Sequence, residues 1–132
     1  MRHQSAAMEN SPRITLNETG TLVTFEYCGH VTAEGIASHC AEVGALAARL
    51  KPGFTALADL TGLDHMDPGC APVISKVMEQ LSSMGIARVV RVMPDPKKDI
   101  GLGILSLFHY RTGVEINTVN THEEARNLIA AH

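Results

Sequence analysis

The sequence predicts an α/β fold, a mixed β-sheet with helices packed against it, in the order β-β-α-β-α-β-α-β-α. Three observations predict it. Apolar and polar residues alternate through the first segment after residue 12, and helically spaced apolar residues recur in stretches that end at glycine or proline. Between those stretches lie short segments that read as strands, at 54–60 and 87–93, the first nearly unbroken in apolar residues, as suits a strand covered on both faces. Right-handed crossovers between parallel strands then place the intervening helices over the sheet.

The elements follow in order. Ile14 and Leu16 share one face of a strand over 13–17, Asn17-Glu-Thr-Gly20 supplies a turn, and Val23, Phe25 and Tyr27 continue the alternation over 21–27, which predicts a β-hairpin. Thr32 is placed to cap a helix with Glu34 in its first turn. Ile36, Cys40, Val43, Ala47 and Leu50 give that helix a single buried stripe, which Pro52-Gly53 ends. A strand over 54–60 leads to a loop from Thr61 to Pro68. The next helix buries Ile74, Val77, Met78, Leu81 and Met84, stops at Gly85, and has Pro68 and Pro72 in or just before its first turn, where a missing N–H costs little.

The strand over 87–93 ends at Pro94-Asp-Pro96, and a third helix is expected from about Lys97 to Tyr110, closed by Thr112-Gly113. Val114 to Val119 alternates as a half-exposed strand near an edge. Thr121 and Glu124 form a capping box that opens the last helix, whose Ala125, Leu128 and Ile129 should dock on the sheet. Residues 1–12 read as a flexible tail, and 13–132 as one domain.

Composition narrows the function classes. At 132 residues the chain can bury one sizeable core, and a formal charge of -3 offers no basic field for nucleic acid. No stretch is long enough for a transmembrane span, since the run over 100–108 is far short of roughly 20 residues and is interrupted by Gly101, Gly103 and Ser106. The amino-terminal segment lacks the roughly 7–15 apolar residues of a secretory signal. Cys28, Cys40 and Cys70 are odd in number and lack C-x-x-C spacing, as expected of reduced thiols in the cytoplasm.

The segment most able to carry chemistry is the loop after the third strand, because α/β sheets place sites outside the carboxyl ends of their strands. It contains Asp64, His65, Asp67, Gly69 and Cys70. A thiol enzyme would use Cys70 near a helix start, His65 as base and Asp67 to orient it. A buried, unreactive cysteine between turn aspartates is the commoner arrangement and the one favoured. The same loop together with Cys28-x-His30 and His39-Cys40 shows no recognised ligand spacing, so neither a metal site nor any other cofactor is expected. Gly101-Leu-Gly103 lacks the third glycine of a dinucleotide fingerprint, and Lys97-Lys98 between Asp95 and Asp99 reads as a solvated turn rather than a phosphate site. Leu102 and Leu105 point away from the core face of the expected third helix. Its two glycines cost roughly 1 kcal/mol each, so this helix is expected to be the least stable element, with the leucines as a candidate partner or apolar-ligand surface.

The element order, the segment Leu57-Ala-Asp-Leu-Thr-Gly-Leu-Asp-His-Met-Asp-Pro-Gly-Cys-Ala-Pro-Val-Ile and the following Leu81-Ser-Ser-Met-Gly-Ile-Ala-Arg-Val-Val-Arg-Val resemble a STAS domain. That family comprises anti-sigma-factor antagonists, SpoIIAA-like proteins and the cytoplasmic portions of sulfate transporters. The resemblance covers the chain from about Ile14 onward and implies a non-enzymatic regulatory module, with a protein partner such as an anti-sigma-type kinase. A homodimer is compatible with it. In antagonist members the loop reads Asp-Ser-Ser-Gly, with one serine phosphorylated by the partner kinase. Here Asp67 matches the aspartate, while Pro68 and Gly69 stand where the serines would be. The switch that adds about two negative charges at such a helix start is therefore missing in its usual form. The part from Ile86 through Glu123-Glu-Ala-Arg126 looks more like the uncharacterised SpoIIAA-like branch. That branch resembles lipid-binding CRAL-TRIO folds, so the alternative is an apolar-ligand or membrane-touching protein using Leu102 and Leu105.

Overall fold

The computed structural model describes residues 13–99, 101 and 113–131. The expected helix surface at Leu102 and Leu105, and the amino-terminal tail, lie outside the described residues. Among those described, five strands form one sheet in the order β1-β2-β3-β4-β5, with β1 (Arg13–Leu16) antiparallel to β2 (Leu22–Val31) and β3 (Thr55–Met66), β4 (Arg88–Val92) and β5 (Glu115–Val119) all parallel to β2. The sheet is mixed because only the opening hairpin reverses direction. Every later pair is joined by a crossover, as the runs of the third and fourth strands require.

The alternation of β2 sends Val23, Phe25 and Tyr27 to one face, where α1 (Ala33–Ile36), α2 (His39–Leu46) and α3 (Cys70–Ser83) cover them. The opposite face of β4 carries Val90 and Val92, which α4 (His122–Ala130) covers with Ala125, Leu128 and Ile129. Two apolar layers thus sandwich β4, all five of whose residues are buried. Arg88 and Arg91 are exceptions to the apolar run, and both are satisfied. Arg88 donates to the Leu128 carbonyl at 2.9 Å, and Arg91 is paired with Asp99 at 2.9 Å. The edge strands β1 and β5 are half exposed, as the alternation of each predicts.

Several expectations hold at atomic detail. The Thr32 hydroxyl accepts from Gly35 N at 3.0 Å, Gly85 ends the helix before β4 at φ 96°, and Thr121 and Glu124 form both halves of the capping box. Others are corrected. The single helix expected over 32–50 is two, broken at Ala37-Ser38, and His39 rather than Cys40 or Ala47 takes the buried stripe with Ile36 and Val43. Gly35 weakens the first turns and Ser38 competes for backbone hydrogen bonds, so the chain re-aims at that point to bury both Ile36 and His39.

The loop expected from Thr61 to Pro68 is largely strand: β3 runs 12 residues to Met66, and β2 likewise continues past Tyr27 to Val31. Gly62 and Asp64 read as turn formers, whereas in the sheet they occupy exposed positions between the buried Leu60, Leu63 and Met66. The third helix does not begin at Lys97. Pro96–Lys98 is a 3-10 turn capped by Asp95, Asp99 is extended at ψ 112°, and Gly101 has φ 92°. The Asp99 carboxylate, held by Arg91 and the Gly101 N–H, anchors the extended backbone there. Lys98 is not simply solvated either, since its ammonium donates to the Leu63 carbonyl at 2.8 Å.

Candidate functional site

The register between β2 and β3 builds the site. Glu26 pairs with Asp59, Cys28 with Gly62, and His30 with His65, so β3 carries one extra residue at each of two successive irregularities. Such bulges bend a strand and re-aim its side chains. In an unbroken register His30 would face Leu63; the two extra residues bring His65 opposite it instead. Gly29 takes φ 67° at the second irregularity, a left-handed conformation that a residue with a side chain seldom adopts. At the first, a Cβ on Gly62 would lie 3.0 Å from the Cys28 sulfur, a contact that would push that side chain aside by a few tenths of an ångström.

Asp67 follows β3 directly and turns back over the pair. Its Oδ1 lies 2.7 Å from His30 Nε2 and 3.3 Å from His65 Nε2, and the two imidazoles tilt against each other with centroids 5.1 Å apart. The backbone of this corner is pinned: Asp67 N–H donates to the Val31 carbonyl at 3.0 Å, and Cys70 N–H to the Asp67 carbonyl at 2.9 Å. Beneath it Val31, Met66 and Cys70 are buried. The three polar side chains are about half exposed, at 54% for His30, 61% for His65 and 39% for Asp67. They form a rigidly based but open cluster. The hydrogen bond from His30, with the two nearby imidazoles, holds the Asp67 carboxyl below its ordinary pKa.

With this geometry in place, comparison with solved structures decides the fold. The chain superposes on the anti-sigma factor antagonist SpoIIAA in its unphosphorylated form with a TM-score of 0.64 at 15% identity, covering 92% of this chain and 100% of that one. The fold is SpoIIAA-like. An uncharacterized DUF3478-family protein with a SpoIIAA-like fold from Shewanella loihica matches at TM-score 0.62 and 19% identity over 89% of this chain and 91% of its own. An anti-sigma factor antagonist from Mycobacterium paratuberculosis matches at 0.56 and 16% over 92% and 96%. No protein-family profile and no curated protein sequence matches the chain. The STAS/SpoIIAA-like reading of the sequence therefore stands at the level of fold.

On this SpoIIAA-like frame the expected site residues separate. His65 and Asp67 meet in the cluster, whereas Asp64 is exposed on β3 and outside it. Pro68 and Gly69 form the exposed tip before α3, with Gly69 at the helix N-cap position. Cys70 is fully buried, and its thiol points at the Val31 carbonyl at 3.5 Å. Burial and then the neighbouring Asp67 carboxylate push its pKa up, the opposite of what a thiolate nucleophile needs. His65 does stand against Asp67, as the thiol-enzyme reading expected, but the buried thiol leaves that imidazole no nucleophile to serve.

The cluster member that linear spacing did not single out is His30. Cys28-x-His30 was visible as a pair, but only the register of two bulged strands sets His30 against His65, and Cys28 does not join them. The expectation of no metal-ligand set rested on motifs along one strand or helix; ligands contributed across a sheet leave no such motif. The apolar-ligand expectation finds a cavity of about 60 Å³ between the sheet and α3, lined by Phe25, Tyr27, Leu60, Ile74 and Met78 among others. That cavity is small beside the roughly 300 Å³ at which ligand pockets begin. An open pocket of about 410 Å³ lies by Leu22, Thr55, Arg88 and Glu115, and the surface expected at Leu102 and Leu105 is outside the described residues. Among the described residues no helix is long and apolar enough to cross a membrane.

Proposed function

We propose that this chain is a non-enzymatic regulatory module that binds a protein partner through the corner formed by the end of β3, the Asp67–Gly69 tip and the start of α3, without a phosphorylation switch at that tip. The observation that carries the reading is the corner itself. An exposed turn with polar side chains on a buried, hydrogen-bonded base offers a partner a pre-ordered surface, and association then costs little ordering entropy. The SpoIIAA-like fold supports it, since two of the similar structures are of anti-sigma factor antagonists. The tetrapeptide Asp67-Pro-Gly-Cys70 has no hydroxyl to phosphorylate. Partner affinity at this corner is accordingly set by the residues already there. The buried Cys70 leaves the thiol-enzyme alternative without a nucleophile.

Crosslinking mass spectrometry on the full chain in its native cells tests this. A partner crosslinked through residues 64–69 should be recovered at least about tenfold less with Asp67→Lys, because reversing a charge inside an interface removes a contact and adds a repulsion. Unchanged recovery, or crosslinks confined to other surfaces, defeats the reading.

A further inference from the structure

Among the described residues, His30, His65 and Asp67 are the one group of three whose ligand-type atoms all lie within 4.8 Å of one another. We propose that they form a binding site for a divalent transition-metal ion of the zinc class, held by His30 Nε2, His65 Nε2 and Asp67 Oδ1, with the outward position open. This goes beyond partner binding at the corner and does not depend on it.

The donor chemistry comes first. Two imidazoles and one carboxylate are the ligand types that borderline divalent ions such as Zn²⁺ take, and they lack the oxygen-rich set that Ca²⁺ or Mg²⁺ demands. Spacing comes next. Metal–ligand bonds of about 2.0–2.2 Å at a tetrahedral angle set neighbouring donors roughly 3.3 Å apart. His65 Nε2 and Asp67 Oδ1 already stand at 3.3 Å. His30 Nε2 and Asp67 Oδ1, at 2.7 Å, are at hydrogen-bond distance and need to part by a few tenths of an ångström. All three side chains are exposed enough to make that adjustment by rotation, with no core residue displaced.

The backbone supplies the third argument. The two histidines come from adjacent parallel strands and meet only because β3 carries two extra residues, and the carboxylate comes from the turn that the Val31 carbonyl pins. Bulges are where strands re-aim side chains for a purpose, and ligands mounted on paired strands are held more precisely than ligands on a free loop. Without metal, Asp67 Oδ1 accepts a hydrogen bond from His30 Nε2 and lies 3.3 Å from His65 Nε2. With metal, each imidazole moves its proton to Nδ1 and presents a bare Nε2, so loading needs a tautomer change and no lost contact with the core. Three protein ligands leave the fourth tetrahedral position facing outward, for water or for a donor from a bound molecule.

Calorimetric titration of the full chain with Zn²⁺ at neutral pH, repeated with Co²⁺ for its visible absorption, tests the site. We expect one ion per chain at micromolar affinity and a cobalt spectrum of low coordination number. His30→Ala and His65→Ala should each weaken binding at least about tenfold, while far-UV circular dichroism stays unchanged because both residues are exposed. His122→Ala, remote from the cluster, should leave the affinity as it is. Absence of binding at millimolar Zn²⁺, or equal affinity in wild type and both histidine variants, overturns the proposal. A loss confined to one of the two variants overturns it as well, since a three-ligand site needs both.

Discussion

Histidine is used in opposite ways in two regions that both border β2. At the rim, His30 and His65 stand half exposed beside the Asp67 carboxylate. Inside, His39 is only 1% exposed, its ring lies 5.7 Å from the rings of both Phe25 and Tyr27, and neither of its nitrogens has a hydrogen-bond partner among the described residues. The interior imidazole acts as a flat aromatic spacer. Burial holds its pKa down at about 4, so it stays neutral. The difference teaches that the same side chain is a packing element where carboxylates are absent and a ligand-type group where one is supplied. Asp59 shows an intermediate case on the far face of the sheet. Its carboxylate accepts from the Thr61 N–H at 3.0 Å and hydroxyl at 2.7 Å and meets His122 Nε2 at 2.9 Å. Because His122 is the first residue of α4, that contact ties the helix to β3.

The largest expected effect is at the interior histidine. The unfolded chain takes up a proton at His39 near pH 6.5, whereas the folded chain resists until about 4. The stability is therefore fully present above 6.5 and is lost as pH falls through that window, by roughly 3 kcal/mol at its lower end. Urea unfolding at pH 7 and 4.5 measures it, and His39→Leu should remove most of the dependence. An unchanged slope in that variant would place the acid sensitivity elsewhere.

The middle effect is at Asp59. Asp59→Ala removes the bonds from Thr61 and the tie to His122, and should cost about 1–2 kcal/mol with faster amide exchange in α4. Burial raises the Asp59 pKa, but the bonds from Thr61 and His122 outweigh it and leave the pKa lowered. This contribution persists above the ordinary carboxylate range and fades only below it. Equal exchange rates in α4 would show that Ala125 and its neighbours hold the helix unaided. The smallest effect on stability is at the rim, where Asp67→Asn should leave the urea midpoint within error. A clear drop would make the rim cluster a structural staple like Asp59–His122 and remove the contrast.

Much of the frame was legible because it depends on near neighbours in sequence. The alternation of Val23, Phe25 and Tyr27, the cap at Thr32, the stop at Gly85 and the capping box of Thr121 and Glu124 are local facts with local consequences. The corner residues His65, Asp67 and Gly69 were legible as candidates for the same reason, lying where a strand gives way to a helix. The errors share one cause. Gly62 and Asp64 have the composition of a loop, yet pairing with β2 holds them in a strand; Gly35 and Ser38 weaken a helix locally, but whether it breaks there depends on burying both Ile36 and His39 against the sheet.

By itself, then, the sequence determined an α/β chain with an opening hairpin, three further crossover-linked strands in order, and a last helix with a defined start, because periodicity and capping act over a few residues. Only the tertiary structure decided that His39 lies inside and that His30 faces His65. Those outcomes depend on which strands lie side by side and on two one-residue offsets in their register, and a displacement of a single position there turns a side chain to the opposite face.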